Sequence, residues 1–377
     1  MKMNGVAMKV TIPGKIGPYI FKEEIGCGKT SVVYHAVSTP PEEEEVAIKV
    51  VPKSQFRNQA EITKLQNEVS SLFKCQNYHV VRFINLYHDS VNFYLVTELC
   101  DTDLQVEVSK SGKFPEDEAK KIFKEIIESI KFVHSVGVAH RDIKLDNFLI
   151  KNSGKTKKII LSDFGFSLLV CEDKNCTIRC GTLAYLAPEI IKNEPYNPYL
   201  VDIWSAGVVL YSIVAGRFPW PTSNNDIMIE WITTRKLKFP DFFSEDLKNL
   251  IDLMLNLNPE ERPTLNIILE HPWLKNVVIE KIEEPETKYK PPSFKALNEI
   301  FRSAAGQRVI VERNQNILKR QKVTKSLNAD IKNTNKDLDK KKALPMSKDL
   351  REVLQKSHRL KIHSRSTKPK TEKNTIT

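Results

Sequence analysis

The sequence predicts an α+β chain, its strands gathered early and its helices late, and three observations carry that prediction. Between Tyr19 and Thr97 the apolar residues fall mostly in short β-branched runs. One helical pattern, Asn58 to Cys75, interrupts them. Helical spacing then dominates from Pro115 to Leu274. At 377 residues the length suits one large two-lobed domain or two ordinary ones, with ample core.

Residues 1–18 are short, mixed and contain Gly and Pro, so a flexible arm is expected there. Ile25-Gly26-Cys27-Gly28-Lys29-Thr30-Ser31-Val32-Val33 is a glycine turn running into a β-branched strand. Small residues let backbone amides approach a phosphate, although a Gly-x-Gly alone is more often a plain hairpin turn. Val46 to Val51 reads as a buried strand holding one cation, Lys49, which costs free energy unless it is paired. In the following helix Ile62, Leu65, Val69 and Leu72 keep helical spacing, and Glu68 lies on the same side. Phe83 to Leu86 and Asn92 to Thr97 read as strands, and Glu98-Leu99-Cys100-Asp101 as the connection to the second lobe. Pro115 to Val136 is an amphipathic helix opened by Pro and three acids, which suits the N-terminal dipole.

The chemistry concentrates in His140-Arg141-Asp142-Ile143-Lys144-Leu145-Asp146-Asn147, followed after a hairpin-like interval by Asp163-Phe164-Gly165. This pattern is that of a metal and phosphate site. Hard Mg²⁺ takes oxygen ligands, usually one or two carboxylates or amides plus the substrate's phosphates, and Asn147 with Asp163 supplies that pair. Asp142 is left for a hydroxyl acceptor. Either tripeptide by itself is usually only a turn; the ordered set is what carries meaning.

As a set, with Ala187-Pro188-Glu189 and Asp202-Ile203-Trp204, these motifs resemble those of eukaryotic-type Ser/Thr protein kinases over residues 19–274. The closing Leu269-Glu270-His271-Pro272-Trp273-Leu274 resembles the calcium/calmodulin-dependent and AMP-activated branch. The resemblance implies the two-lobed protein-kinase fold: a small, mainly β lobe with one long helix and a larger, mainly α lobe. It implies ATP and Mg²⁺ as cofactors. Asp142 would orient the acceptor hydroxyl, and Lys144 and Lys49 would neutralise phosphate. Glu68, nineteen residues after Lys49, would hold that lysine. The nucleotide would lie among Ile25, Gly26, Cys27, Gly28, Val33, Ala47, Thr97, Glu98, Cys100, Asp103, Asp146 and Leu149. Ser31 departs from the family's third glycine. His140 is expected to be structural, stacked beneath Phe164.

The resemblance extends to control and specificity. Arg141 implies an activation segment ordered by phosphate, with Thr177 as the acceptor for an upstream kinase. The segment ordered without phosphate is the equal alternative, because related kinases carry their threonine where Ile178 stands here. Thr182 would bond both Asp142 and Lys144, which with Lys144 itself implies Ser/Thr acceptors. Glu189 and Arg262 would form a buried ion pair, and Asp202 would brace the catalytic loop. Asp103 and Asp146 match positions at which basophilic kinases hold a substrate arginine, though Asp146 reads equally as a solvated loop acid. Ser212 replaces an acid used for a second arginine.

Charge divides the chain. Residues 275–377 hold 26 Lys and Arg against 12 Asp and Glu, a net of +14, which leaves −3 of the total +11 for residues 1–274. The tail is expected to be basic and largely disordered, with a short helix near 294–305 where Phe294, Leu297, Ile300, Phe301 and Ala304 recur. Docking on the kinase, service as a regulatory target and transient formation all stay open for that helix. Basic runs at Lys319–Lys322 and Lys340–Lys342 resemble localisation or polyanion patches, or are plain solvated charge, and a regulatory partner of the tail stays open. No apolar run approaches the ~18–20 residues a membrane span requires, and the six cysteines suit reduced thiols, so a cytoplasmic chain with nuclear access is expected. Cys171, Cys176 and Cys180 match no usual zinc spacing. A catalytically silent scaffold and a polyanion-binding protein are the alternative functional classes.

Overall fold

The computed structural model describes residues 10–28, 30–153, 156–170, 175–279 and 291–303. Among these, the first lobe is an antiparallel sheet of β1 (Lys15–Ile16), β2 (Tyr19–Cys27), β3 (Val32–Ser38), β4 (Glu45–Pro52), β5 (Phe83–His88) and β6 (Asn92–Glu98), in the order β1-β2-β3-β4-β6-β5. Strand alternation gives the sheet two different faces. Val46, Ile48 and Val50 are fully buried in a small cluster with Tyr19, Ala36, Tyr94 and Val96. Ala47 and Lys49 point the other way, paired in register with Thr97 and Leu95 of β6.

The arm expected at residues 1–18 is not loose where it is described. Val10, Ile12 and Ile16 pack on the small-lobe cluster, β1 pairs with β2, and Thr11 O accepts from Asn92 Nδ2 at 2.8 Å. Burying three aliphatic side chains offsets the entropy of fixing this short stretch. Residues 1–9 lie outside the described residues.

Helix α1 (Gln59–Lys74) has the predicted bounds because both ends are closed. The Asn58 side chain accepts from Glu61 N at 3.1 Å, and the Cys75 amide bonds Ser71 O at 2.8 Å. Its buried stripe, Ile62, Leu65, Val69 and Leu72, seats it beside the sheet with Glu68 turned inward.

The second lobe is mainly helical: α2 (Leu104–Ser111), α3 (Glu116–Ser135), α4 (Pro188–Ile191), α5 (Pro198–Ala215), α6 (Asn225–Thr234), α7 (Glu245–Met254) and α8 (Leu265–Leu269). Short strands β7 (Thr102–Asp103), β9 (Phe148–Ser153) and β10 (Thr156–Leu161) form one sheet, and β8 (Val138–Ala139) pairs with β11 (Leu168–Leu169). Helix α5 corrects one expectation. Its 18 residues average a hydropathy of 1.5, long and apolar enough to cross a membrane, yet 78% of that stretch is buried by protein. A helix that is apolar all round is what the centre of a large helical lobe needs. It ends at Gly216, whose positive φ of 69° and close approach to Gly112 O leave no room for a side chain.

A further helix, α9, is described over residues 294–303, inside the interval where sequence spacing placed one. The rest of the basic tail, residues 280–290 and 304–377, lies outside the described residues, as do Lys29 and Cys171.

Candidate active site

The β9–β10 hairpin explains how two distant oxygen donors become neighbours. Its register pairs Phe148 with Leu161, and one residue outward Ser162 N and Oγ both bond Asn147 O, at 2.8 and 3.0 Å. Asn147 thus stands beside the residue preceding Asp163. Asn147 Nδ2 donates to Asp142 O at 2.8 Å, so its amide oxygen is the atom left to serve a cation. Asp163 adopts a left-handed backbone, φ 57°, that swings its carboxylate toward Lys49.

Lys49 Nζ donates to Glu68 Oε1 at 2.6 Å and to Asp163 Oδ1 at 3.0 Å. Burial alone would lower the lysine's pKa, but Glu68 and Asp163 overcome it and hold the ammonium charged. Lys49 in turn holds the Asp163 carboxyl down at about 2, against the opposing effect of burial. The strand lysine is therefore paired, which answers the cost of placing it in an apolar strand. An ionised carboxylate and an amide oxygen make a hard donor pair, and a divalent cation fits them. Among the described residues no group of three His, Cys, Asp or Glu side chains could hold a metal ion by itself, so the remaining ligands would come from substrate and water.

Asp142 is buried and held on both oxygens. Thr182 N and Oγ1 donate to Oδ1, each at 3.0 Å, and Lys144 Nζ donates to Oδ2 at 2.7 Å. Lys144 also reaches Thr182 Oγ1 at 3.3 Å. Gly181 makes this closure possible: φ is +103°, and a Cβ there would stand 2.9 Å from Arg141 O. The loop hangs from Asp202, which is 1% exposed and accepts from His140 N at 2.9 Å and Arg141 N at 2.7 Å. His140 is structural, as expected. Its Nε2 bonds Ser162 O at 2.9 Å, its Nδ1 accepts from Asp142 N at 3.3 Å, and its ring meets Phe164 edge-on at 5.0 Å.

The residues expected to surround a nucleotide converge on the open side of the sheet. Gly26 pairs with Val33, Val33 with Lys49, and Ala47 with Thr97, while Leu149 pairs with Asp103 across the second lobe's small sheet. Ile25 and Cys27 are exposed at the lip, and Gly28 N bonds Ser31 O at 2.8 Å to close the turn. The Glu98 side chain is turned away, accepting from Arg82 N at 2.8 Å and Lys151 at 2.9 Å, so only its backbone can face a base. Burial pushes the Cys100 thiol up to about 12, which leaves it a neutral connector.

Asp103 serves as a helix cap. Its Oδ1 caps α2 by accepting from Val106 N at 2.8 Å. Burial raises its pKa against that bond, and the nearby Asp146 charge raises it further. Asp146 is exposed. Ser212 is 2% exposed inside α5.

Sequence reasoning missed what Arg141 touches. Its Nε donates to Phe166 O at 2.8 Å, and its Nη1 donates to Cys176 Sγ at 3.3 Å. Cys176 in turn donates to Tyr196 Oη at 3.2 Å, and Tyr196 donates to Ile178 O at 2.6 Å. Thr177 and Ile178 are both exposed. The only sequence signal was that Cys176 adjoins Thr177. The buried pair formed as expected: Arg262 grips Glu189 with two bonds, 2.7 and 2.8 Å.

Comparison with known proteins agrees with this geometry. The chain is 32% identical over 292 residues to CBL-interacting protein kinase 31 of Oryza sativa subsp. japonica, covering 76% of this chain and 62% of that one. It is 31% identical to CBL-interacting serine/threonine-protein kinase 18 of Arabidopsis thaliana, over 69% of this chain and 50% of the other. Sperm motility kinase 2B of Mus musculus is 30% identical, over 68% and 51% respectively. The chain thus spans about half to three-fifths of the length of these curated relatives. A family model described as "Protein kinase domain" matches residues 19–274, well over half of the chain, and it contains every bond described around Asp142, Lys49 and Asp163. This protein belongs to the protein kinase family.

Proposed function

We propose that the chain is a protein serine/threonine kinase, transferring the γ-phosphoryl of ATP to Ser and Thr hydroxyls of proteins and favouring acceptors with a basic residue upstream. The protein kinase domain uses ATP with a divalent metal; here Mg²⁺ is the proposed ion. The observation that most supports the reading is the set of bonds on Asp142, with Thr182 on one oxygen and Lys144 on the other. Phosphoryl transfer asks the protein for position and charge rather than for a covalent intermediate. Asp142 would orient the acceptor hydroxyl and take its proton, with Lys144 offsetting charge on the transferred group. Lys49, steadied by Glu68, would hold the nucleotide's α and β phosphates. Asn147 and Asp163 would hold Mg²⁺, which would supply neutralisation of the nucleotide's phosphate charge.

Basophilic preference rests on Asp103 and Asp146, two carboxylates close enough to repel and so ready for a guanidinium. The same reading gives Thr177 to an upstream kinase, with Arg141 as the receiver of its phosphate, and gives the basic tail to a regulatory partner. The cytoplasm, with access to the nucleus, is the compartment it favours.

The test is initial-rate transfer from ATP and Mg²⁺ to a basic Ser/Thr peptide, with Asp163→Asn as control. Transfer that vanishes in the control supports the enzyme. ATP binding without transfer, before and after treatment with an upstream kinase, turns the reading to a scaffold.

A further inference from the structure

Two serine hydroxyls meet in the interior beside Asp163, and neither belongs to the motifs read from the sequence. Ser71 lies in α1, three residues after Glu68, and is 0% exposed; Ser167 follows the turn Phe164-Gly165-Phe166 and is 5% exposed. Their Oγ atoms stand 2.8 Å apart. Ser167 also closes the turn, with its N and its Oγ both on Phe164 O, at 2.9 and 2.7 Å. A hydroxyl carries one proton, so Ser167, donating to Phe164 O, accepts from Ser71. The turn needs this closure. It begins at Asp163, whose left-handed φ of 57° costs free energy for a residue with a side chain. It is also tightly packed, because a Cβ on Gly165 would stand 3.2 Å from Asp163 Oδ1 and 3.7 Å from Glu68 Oε2.

We propose that Ser71 and Ser167 are positioning residues for the metal and nucleotide site: their buried bond fixes the turn after Asp163 to α1 and so sets where the Asp163 carboxylate stands. The inference rests on the kinase reading above. Asp163 is held from two directions, by Lys49 Nζ on its Oδ1 at 3.0 Å and by the turn that Ser167 ties to α1. Without the serine pair the carboxylate keeps the first restraint and loses the second. Helix stability does not explain Ser71, since Ala is the better helix former and a buried hydroxyl is kept only when it is bonded. That bond leaves the helix for Ser167. Both serines are buried and act through Asp163, as partners of a ligand do at metal sites generally.

The experiment uses the full chain. Ser71→Ala, Ser167→Ala and the double variant are compared with Ser129→Ala, which removes another fully buried hydroxyl, bonded to Ile126 O inside α3. ADP is titrated calorimetrically with Mg²⁺ and with a chelator in its place. Each single variant should weaken ADP about five- to tenfold with Mg²⁺ and less than about twofold without it. The double variant should be no weaker than the singles, because all three lose the same bond. In the nucleotide-free chain the amides of residues 164–169 should exchange faster in these variants, and Ser129→Ala should change none of these readings. Equal weakening with and without Mg²⁺, additive losses in the double variant, or unchanged exchange across residues 164–169 overturns the proposal. If the parent chain transfers no phosphoryl group, the kinase reading fails by itself, and the exchange measurement still decides whether Ser71 holds the turn.

Discussion

Thr182 donates both its backbone N–H and its hydroxyl to the same oxygen of Asp142, each at 3.0 Å. The second contact depends on the side chain and the first does not, which separates two roles. Thr182→Ala should keep the segment in place while loosening Asp142, lowering kcat roughly 10–100-fold with little change in KM for ATP. Thr182→Ser should retain most of the rate. Steady-state kinetics on one peptide checks both.

Gly181→Ala should cost more activity than stability. Its φ of +103° and the 2.9 Å approach to Arg141 O force the backbone to move where Thr182 approaches Asp142. A fall in kcat larger than that of Thr182→Ala, with a thermal midpoint within a few degrees of the parent, is expected.

Glu189→Ala leaves Arg262 with 0% side-chain exposure and no carboxylate. Removing one partner of a buried pair costs about 3–5 kcal/mol. At about 2–4 °C per kcal/mol for a domain of this size, calorimetry should show a midpoint lower by about 10 °C.

Asp163 gives a pH signature. Its folded pKa of about 2 lies below the ordinary 3.8, so the native state is favoured above pH about 4, and that advantage fades as pH falls toward 2. Because 43% of the side chain is exposed, the loss is modest. Denaturation midpoints from pH 5 to 2.5 should converge between the parent and Asp163→Asn. In Lys49→Met the acid limb should move to higher pH.

Asp146→Asn should raise KM about tenfold for peptides with an upstream arginine, well beyond any change in KM for ATP. Asp103→Asn is the less clean test, since the same side chain caps α2 and an amide weakens that role.

Much of this was legible in the chain. The bounds of α1 followed from Asn58 and the apolar spacing; that Lys49 needed a partner followed from its apolar strand, and that Glu68 is the partner followed from the kinase resemblance. Such local rules reach as far as caps, stripes and paired charges. They did not reach the packing of Val10, Ile12 and Ile16, because three scattered aliphatics show no periodicity. Nor did they show that the apolar α5 is the centre of the lobe rather than a lesser stretch, since burial is a property of its neighbours. The aromatic stripe at 294–301 was visible, but Phe73 and Phe93, the rings beside it, lie more than two hundred residues upstream and nothing local marks them as its neighbours. Arg141 illustrates the same limit: its donor geometry suggests a phosphate, while the folded segment supplies the Cys176 sulfur.

Asp202 carries a consequence for the order in which the molecule comes apart. One carboxylate, buried in α5 and also bonded to His134 at 2.8 Å, suspends the loop that carries Asp142 from a largely buried helix of the large lobe. Loop and core are therefore one cooperative unit. Gentle heating should disengage Lys49 from Glu68 by movement of the small lobe long before Asp142 shifts, so catalysis would be lost through a reversible, sub-global opening and recovered on cooling without refolding of the larger half.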